Sequence, residues 1–266
     1  MAETFTGPSA TLAYARHGRP GGFPVLVHHG LIGSTGVDPD WAALAEERDL
    51  ELIAVARPGY GRSAPVPMAR IAEWADLAAP LLDHLGMGEY TVLGISAGAP
   101  YAYCLAARHG GRVRGAAIAS GLGHLCDPHL VALYPPASRE AFAHFRSASQ
   151  EEAADYWRVS LESSRAALPE GHRWAGALDD SLAHGAAGPG REARLQQEPW
   201  GFDLGGISCP VRLWHAPADT MAPYEVAERT ARLIPGAVLL DQADPDHVPS
   251  PETARAALDF LAARGR

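Results

Sequence analysis

The chain has 266 residues, 47% of them hydrophobic, which is enough for a sizeable core and suggests one α/β domain with room for an inserted subdomain. Its formal net charge is -9 and it holds no basic run, so neither nucleic acid nor an anionic membrane is an expected partner. Met1 to Ala10 lacks the basic start and apolar centre of a secretory signal, no apolar run approaches the ~20 residues of a membrane span, and Cys104, Cys126 and Cys209 fit neither a disulfide framework nor a zinc site. The expectation is a cytoplasmic protein with buried free thiols.

Strand and helix signals alternate through the first half. Thr11 to Arg16 and Pro24 to His28 read as strands, Trp41 to Arg48 as a helix, and Leu50 to Ala56 as a buried strand. Ala69 to Leu85 has apolar residues at helical spacing and ends at Gly86. Tyr90 to Leu93 is a short apolar strand, Ala99 to His109 a helix, and Val113 to Ala119 another buried strand. Strands that are mainly apolar, rather than alternating, predict a mostly parallel sheet covered by helices on both faces.

The rhythm breaks after Gly121. From Leu122 to about Gly206 no strand is evident, and helices are predicted over Ser138 to His144, Gln150 to Ala167 and Gly171 to His184, with a loop at Gly185 to Gly190. This stretch also holds many aromatics, among them Tyr134, Phe142, Phe145, Tyr156, Trp157, Trp174 and Trp200. The α/β pattern then resumes with Pro210 to His215 as strand, Pro223 to Ile234 as helix, Ala237 to Leu240 as strand and Pro251 to Ala263 as helix. The division expected is a core of residues 1–121 and 207–266 with a helical cap inserted at 122–206. No internal repeat or low-complexity tract is present.

The chemistry is concentrated at Gly94-Ile95-Ser96-Ala97-Gly98. A serine on a sharp strand-to-helix turn has its hydroxyl pushed out of the packed layers, and flanking glycines allow the close approach of neighbouring elements. A Gly-x-Ser-x-Gly pentapeptide alone is a weak signal, and the strand before it and helix after it strengthen it. A serine hydroxyl needs a base to take its proton and an acid to hold that base. His247, in the loop between the last strand and the last helix, is the candidate base. Asp219, in the turn after the Pro210 to His215 strand, is the candidate acid, although a turn or capping role is common for such a residue. Asp244 and Asp246 lie closer to His247 along the chain and are alternatives for orienting it. Backbone donors for a developing oxyanion are expected from the amide of Ala97 and from the turn His28-His29-Gly30-Leu31-Ile32-Gly33-Ser34, with Leu31 as the second donor.

Taken together, the chain resembles the α/β-hydrolase family of the capped type over nearly its whole length. The resemblance rests on His29-Gly30, on Arg57-Pro58-Gly59-Tyr60-Gly61-Arg62-Ser63, on the Ser96 elbow, on Asp219 and on His247, with Trp200-Gly201-Phe202-Asp203-Leu204 as a further match. It implies a helical cap after the sixth strand. Two departures stand out: the turn after Leu50 to Ala56 begins with Arg57 where the family usually has aspartate, and Asp244-Pro245-Asp246 precedes the histidine where glycine is common.

The expected activity is hydrolysis of an ester or related acyl bond of a small, mainly apolar molecule, with no metal or organic cofactor. His29, Trp157, Trp200 and Met221 are the candidates for pocket lining. A homo-oligomer is compatible with the sequence. Ser96 in place of an elbow aspartate argues against the epoxide-opening and dehalogenating chemistries of some relatives. Carbon–carbon bond hydrolysis, cyanohydrin cleavage and perhydrolysis use the same residues and stay open, as does a non-catalytic receptor.

Overall fold

A computed structural model describes residues 1–242 and 246–265. Eight strands form one sheet: β1 (Glu3–Thr6), β2 (Thr11–Gly18), β3 (Phe23–His28), β4 (Leu50–Val55), β5 (Tyr90–Ile95), β6 (Val113–Ala119), β7 (Val211–His215) and β8 (Val238–Asp241). Their order across the sheet is β1-β2-β4-β3-β5-β6-β7-β8. β1, β2 and β4 pair antiparallel, and every other pairing is parallel.

Burial follows this arrangement. Every residue of β4 is buried, as a strand with both faces covered requires. Side chains alternate between two cores. Leu26, Ile53 and Val92 face the one built with α2 (Glu73–His84) and α3 (Ala99–Arg108). Val25, Val27 and Leu93 face the other, closed by α1 (Pro39–Glu46) and α9 (Pro251–Ala262). α8 (Tyr224–Arg232) covers β7 and β8. The mostly parallel sheet between helices expected from the sequence is what the chain adopts.

β1 was not anticipated. Its four residues are too few to show a period, and it exists by pairing with β2, Glu3 opposite Tyr14 and Phe5 opposite Leu12.

A helical insertion of α4 (Pro128–Val131), α5 (Pro136–Ser147), α6 (Gln150–Ala167) and α7 (Ala175–Leu195) follows β6. α6 starts on a reciprocal cap: the Ser149 side chain accepts from the Glu152 amide, and Glu152 accepts from the Ser149 amide. α7 corrects the sequence reading in two ways. It begins at Ala175, not Gly171, and the chain bends at Ala183–Ala186, where His184, Gly185 and Ala186 take φ of 54°, 66° and 60°. From Ala187 the chain is helical again, so of the predicted Gly185–Gly190 loop only Gly185 and Ala186 depart from the helix. Gly188 and Gly190 are there for contact: a Cβ on Gly188 would stand 2.5 Å from the Tyr60 ring, and one on Gly190 2.6 Å from the Ala154 amide nitrogen.

Candidate active site

Ser96, Asp219 and His247 follow the carboxyl ends of β5, β7 and β8, so the sheet brings all three to one edge. β5 is central, and the chain turns sharply after it into a single 3-10 turn, Ser96–Gly98, that runs into α3. Ser96 takes φ 51°, a left-handed conformation that costs a non-glycine residue roughly 1–3 kcal/mol. Packing imposes it. A Cβ on Gly98 would overlap the carbonyl oxygen of His28 and stand 2.6 Å from that of His29, and one on Gly94 would stand 2.9 Å from the Ala102 Cβ. The Leu122 amide, at the start of the insertion, donates to the Ser96 carbonyl at 3.2 Å.

The three side chains form one hydrogen-bonded run. His247 Nε2 lies 2.8 Å from Ser96 Oγ and His247 Nδ1 2.7 Å from Asp219 Oδ2. Burial alone would raise the Asp219 pKa, but hydrogen bonds from His215 and His247 and the Ala222 amide hold it well below the usual carboxylate range. A carboxylate only accepts, so the Nδ1 nitrogen of neutral His247 carries the proton and Nε2 is left to accept from the Ser96 hydroxyl. Asp219 Oδ1 is occupied by the Met221 and Ala222 amides at 2.8 and 2.9 Å. Both oxygens are therefore fixed. Asp246 is exposed, and the imidazole Nδ1 is directed to Asp219 instead; Asp244 lies outside the described residues.

Two residues that the sequence did not single out hold this arrangement. Gln242 is buried directly after β8, and its side-chain amide donates to the carbonyls of Asp246 (2.8 Å) and Val248 (3.0 Å), on either side of His247. His215, the last residue of β7, is wholly interior; its Nε2 sits 2.7 Å from the Ala222 carbonyl and 3.3 Å from Asp219 Oδ2. A buried polar residue next to a candidate acid was the available signal for His215, and nothing in the spacing marked Gln242.

The loop after β3 lies against the serine: a Cβ on Gly30 would stand 3.7 Å from Ser96 Cβ. Leu31 follows Gly30, and Ala97 follows Ser96. The His29–Gly30 segment is gripped by Arg57, whose side chain is fully buried. Nη1 donates to the His29 carbonyl at 2.6 Å and Nη2 to the Gly30 carbonyl at 2.9 Å. Nε donates to Glu192 of α7 at 3.1 Å, and Arg191 donates to the same Glu192 oxygen at 2.8 Å and to the Pro58 carbonyl. Burial acts to lower the Arg57 pKa, and Glu192 with the Tyr60 and Tyr101 rings more than offsets it. Ser181 of α7 accepts from the Gly33 amide at 3.1 Å, so the insertion braces both ends of this loop.

The pocket candidates fall in different places. Trp200 has no surface that water can reach; it stacks on His124 (3.6 Å between ring centroids) and packs in the core, so it lines no water-filled pocket. His29 is also buried, edge-on to Tyr60, with Nε2 accepting from the Arg57 amide at 3.3 Å; it supports the loop instead of facing outward. Trp157 is half-buried between the Phe145 ring and a cluster that includes Ile32, next to Leu31. Met221 is 65% exposed beside Asp219, and Val248, beside His247, is 42% exposed.

A base-activated hydroxyl, an ordered acid and amides at a helix start are the parts needed for nucleophilic attack on an acyl carbon. Among the described residues no helix is long and apolar enough to cross a membrane, and no cluster of His, Cys, Asp or Glu is placed to hold a metal ion.

The family model for the alpha/beta hydrolase fold matches residues 24–252. The uncharacterized hydrolase YcgS of Bacillus subtilis (strain 168) is 35% identical over 111 residues, a stretch that spans 42% of this chain and 38% of that protein. Among solved structures, the esterase EaEST from Exiguobacterium antarcticum superimposes with a TM-score of 0.75 at 17% identity, over 100% of this chain and 99% of that one. The haloalkane dehalogenase DbeA from Bradyrhizobium elkani USDA94 does so with a TM-score of 0.76 at 20% identity, over 99% and 98%. At these identities the likeness is one of fold.

Proposed function

Because this chain belongs to the α/β-hydrolase family, we propose that it is a serine hydrolase cleaving an ester or related acyl bond of a small, mainly apolar substrate. The observation that carries the reading is the run from Asp219 through His247 to Ser96, with hydrogen bonds of 2.7 and 2.8 Å in the tautomer that general-base catalysis requires.

In this reading His247 Nε2 takes the hydroxyl proton as Ser96 Oγ bonds to the acyl carbon. The carbonyl π pair moves to oxygen, and the amides of Leu31 and Ala97 hold the resulting oxyanion. When the tetrahedral species collapses, His247 returns the proton to the leaving alcohol and the acyl group stays on Ser96. Water then attacks the acyl carbon as His247 takes its proton, and the second collapse breaks the bond to Ser96 Oγ, which recovers that proton from His247 as the acid leaves. Asp219 stays ionised throughout and stabilises the imidazolium. Neither a metal nor an organic cofactor enters. The preference for an apolar substrate is supported by Met221 and Val248, the exposed apolar side chains beside the acid and the base.

The test is labelling by a fluorophosphonate, with the modified peptide identified by mass spectrometry, together with turnover of short p-nitrophenyl esters. The expected result is modification at Ser96 and loss of both activities in Ser96→Ala. Ester turnover unchanged in Ser96→Ala would overturn the reading. Labelling without turnover of a broad ester panel would contradict ester hydrolysis and favour another reaction of the same residues, or a receptor.

A further inference from the structure

We infer that Arg57 is a positioning residue for the oxyanion hole: its guanidinium sets and strengthens the Leu31 amide by gripping the carbonyl end of the same peptide unit. The inference rests on the Ser96 reading above and goes beyond it, because it gives a role to a buried residue outside the Ser96, His247 and Asp219 run.

The argument begins with one peptide plane. The Gly30 carbonyl and the Leu31 N–H are opposite ends of a single planar amide, and none of the described peptide bonds is cis. In a trans amide the oxygen and the hydrogen point in opposite directions. Arg57 Nη2 holds the Gly30 oxygen at 2.9 Å, alongside His29 Nδ1 at 2.8 Å on the same oxygen, and Nη1 holds the preceding His29 oxygen at 2.6 Å, so one rigid fork spans two successive planes. Gly30, whose carbonyl is so held, neighbours the serine: a Cβ on it would stand in ordinary contact, 3.7 Å from Ser96 Cβ. A lysine could offer a point charge here but not the two-pronged geometry.

The second effect is electronic. A cationic donor on an amide oxygen draws density from the nitrogen and makes the N–H a stronger donor. The charge is available for this because the cluster is unbalanced: Arg57 and Arg191 share the single carboxylate of Glu192, all three are buried, and the neighbouring His28 and His29 are held neutral. A net positive charge therefore sits behind the amide that is to face a developing negative one. The Tyr101 and Tyr60 rings, 4.7 and 5.5 Å from the guanidinium carbon, keep water from the group.

A merely structural arginine would seal the insertion to the core and change stability, not transition-state binding. Arg57→Lys and Arg57→Gln separate the two. Rates are read per serine labelled to completion by fluorophosphonate, so partial misfolding does not count. With p-nitrophenyl acetate, kcat is expected to fall about 10- to 100-fold with KM within about 3-fold of the parent, and a trifluoromethyl ketone, whose hemiketal oxygen occupies the hole, is expected to weaken by the same factor as kcat/KM. A kcat within about 3-fold of the parent in both variants, or a rate loss with unchanged ketone affinity, would overturn the inference.

If neither variant folds, the parent decides: a scalar coupling across the hydrogen bond from the Arg57 guanidinium to the Gly30 carbonyl carbon is expected, and its absence would contradict the grip. A parent protein that neither labels nor turns over ester would sink the Ser96 reading and this one with it. An active parent matched by its Arg57 variants sinks this one alone.

Discussion

Gln242 holds His247 by the backbone on both sides of it, its side-chain amide donating to the carbonyls of Asp246 at 2.8 Å and Val248 at 3.0 Å. The Gln242 backbone N–H in turn donates to the His215 carbonyl at 2.8 Å, so the histidine loop is registered against β7, the strand that leads to Asp219. Gln242→Ala should leave two carbonyls without this donor and loosen the imidazole. We expect kcat/KM to drop about 10-fold and stability by about 1–3 kcal/mol. Steady-state kinetics and urea melts check this; a stability loss with unchanged kcat/KM would remove Gln242 from the positioning of His247.

Asp219→Asn should be far more damaging. The amide that replaces Oδ2 can donate to Nδ1, which would favour the imidazole tautomer with its proton on Nε2, the wrong one for a base. A fall in kcat of about ten-thousand-fold is expected with the fold intact. Circular dichroism and single-turnover rates measure both. A fall of less than about 10-fold would mean that another carboxylate orients His247.

Gly98 carries no chemistry but fixes the elbow. Any side chain there meets the carbonyls of His28 and His29, which lead directly into the loop proposed to supply the Leu31 amide. Gly98→Ala is expected to cost about 1–3 kcal/mol or more and to lower the labelling rate of Ser96 as well. Normal stability in that variant would show that the close approach is not needed.

Stability should fall in mild acid. His28 is pushed down to about 3, by burial first and the Arg57 charge second, and His29 is held well below its usual value by the same causes. Folded, both stay neutral; unfolded, both take up a proton below about pH 6.5. Their contribution is therefore complete above that pH and is lost as pH falls, roughly 1.4 kcal/mol per pH unit for each, down to about pH 3 for His28. Asp219 has the same sign in stronger acid, because its folded pKa lies below the unfolded one. Both His28 ring nitrogens lack partners among the described residues, so His28→Leu should flatten the melting-temperature profile between pH 7 and 4.5. Superimposable profiles for the two proteins would contradict this assignment.

What the sequence made legible follows from where its signals were strong. β4, β5 and β6 announce themselves by mostly apolar runs, each broken by a single polar residue (Glu51, Thr91 and Arg114), and the order of Ser96, Asp219 and His247 along the chain anticipated the side chains that meet. The errors came where glycine has two meanings. Gly185 marks a real left-handed bend, whereas Gly188 and Gly190 serve contact inside a helix, and composition does not tell the two apart. Trp200 was read as pocket wall because aromatics do both jobs; its stacking on His124 and Tyr103 is a tertiary fact. Arg57 bonds backbone carbonyls in a loop that precedes it by a whole strand and helix, and Gln242 bonds carbonyls just ahead of it in an irregular loop; no periodicity records either kind of bond.

The central claim is that Ser96 Oγ becomes covalently acylated during turnover. The most direct measurement is rapid mixing with p-nitrophenyl acetate, followed by acid quench and mass spectrometry of the peptide that contains Ser96. The account predicts a burst of nitrophenol equal to the enzyme present and an acetyl group on Ser96 that disappears as substrate is exhausted. Turnover of the ester with no acyl group ever found on Ser96 would contradict it.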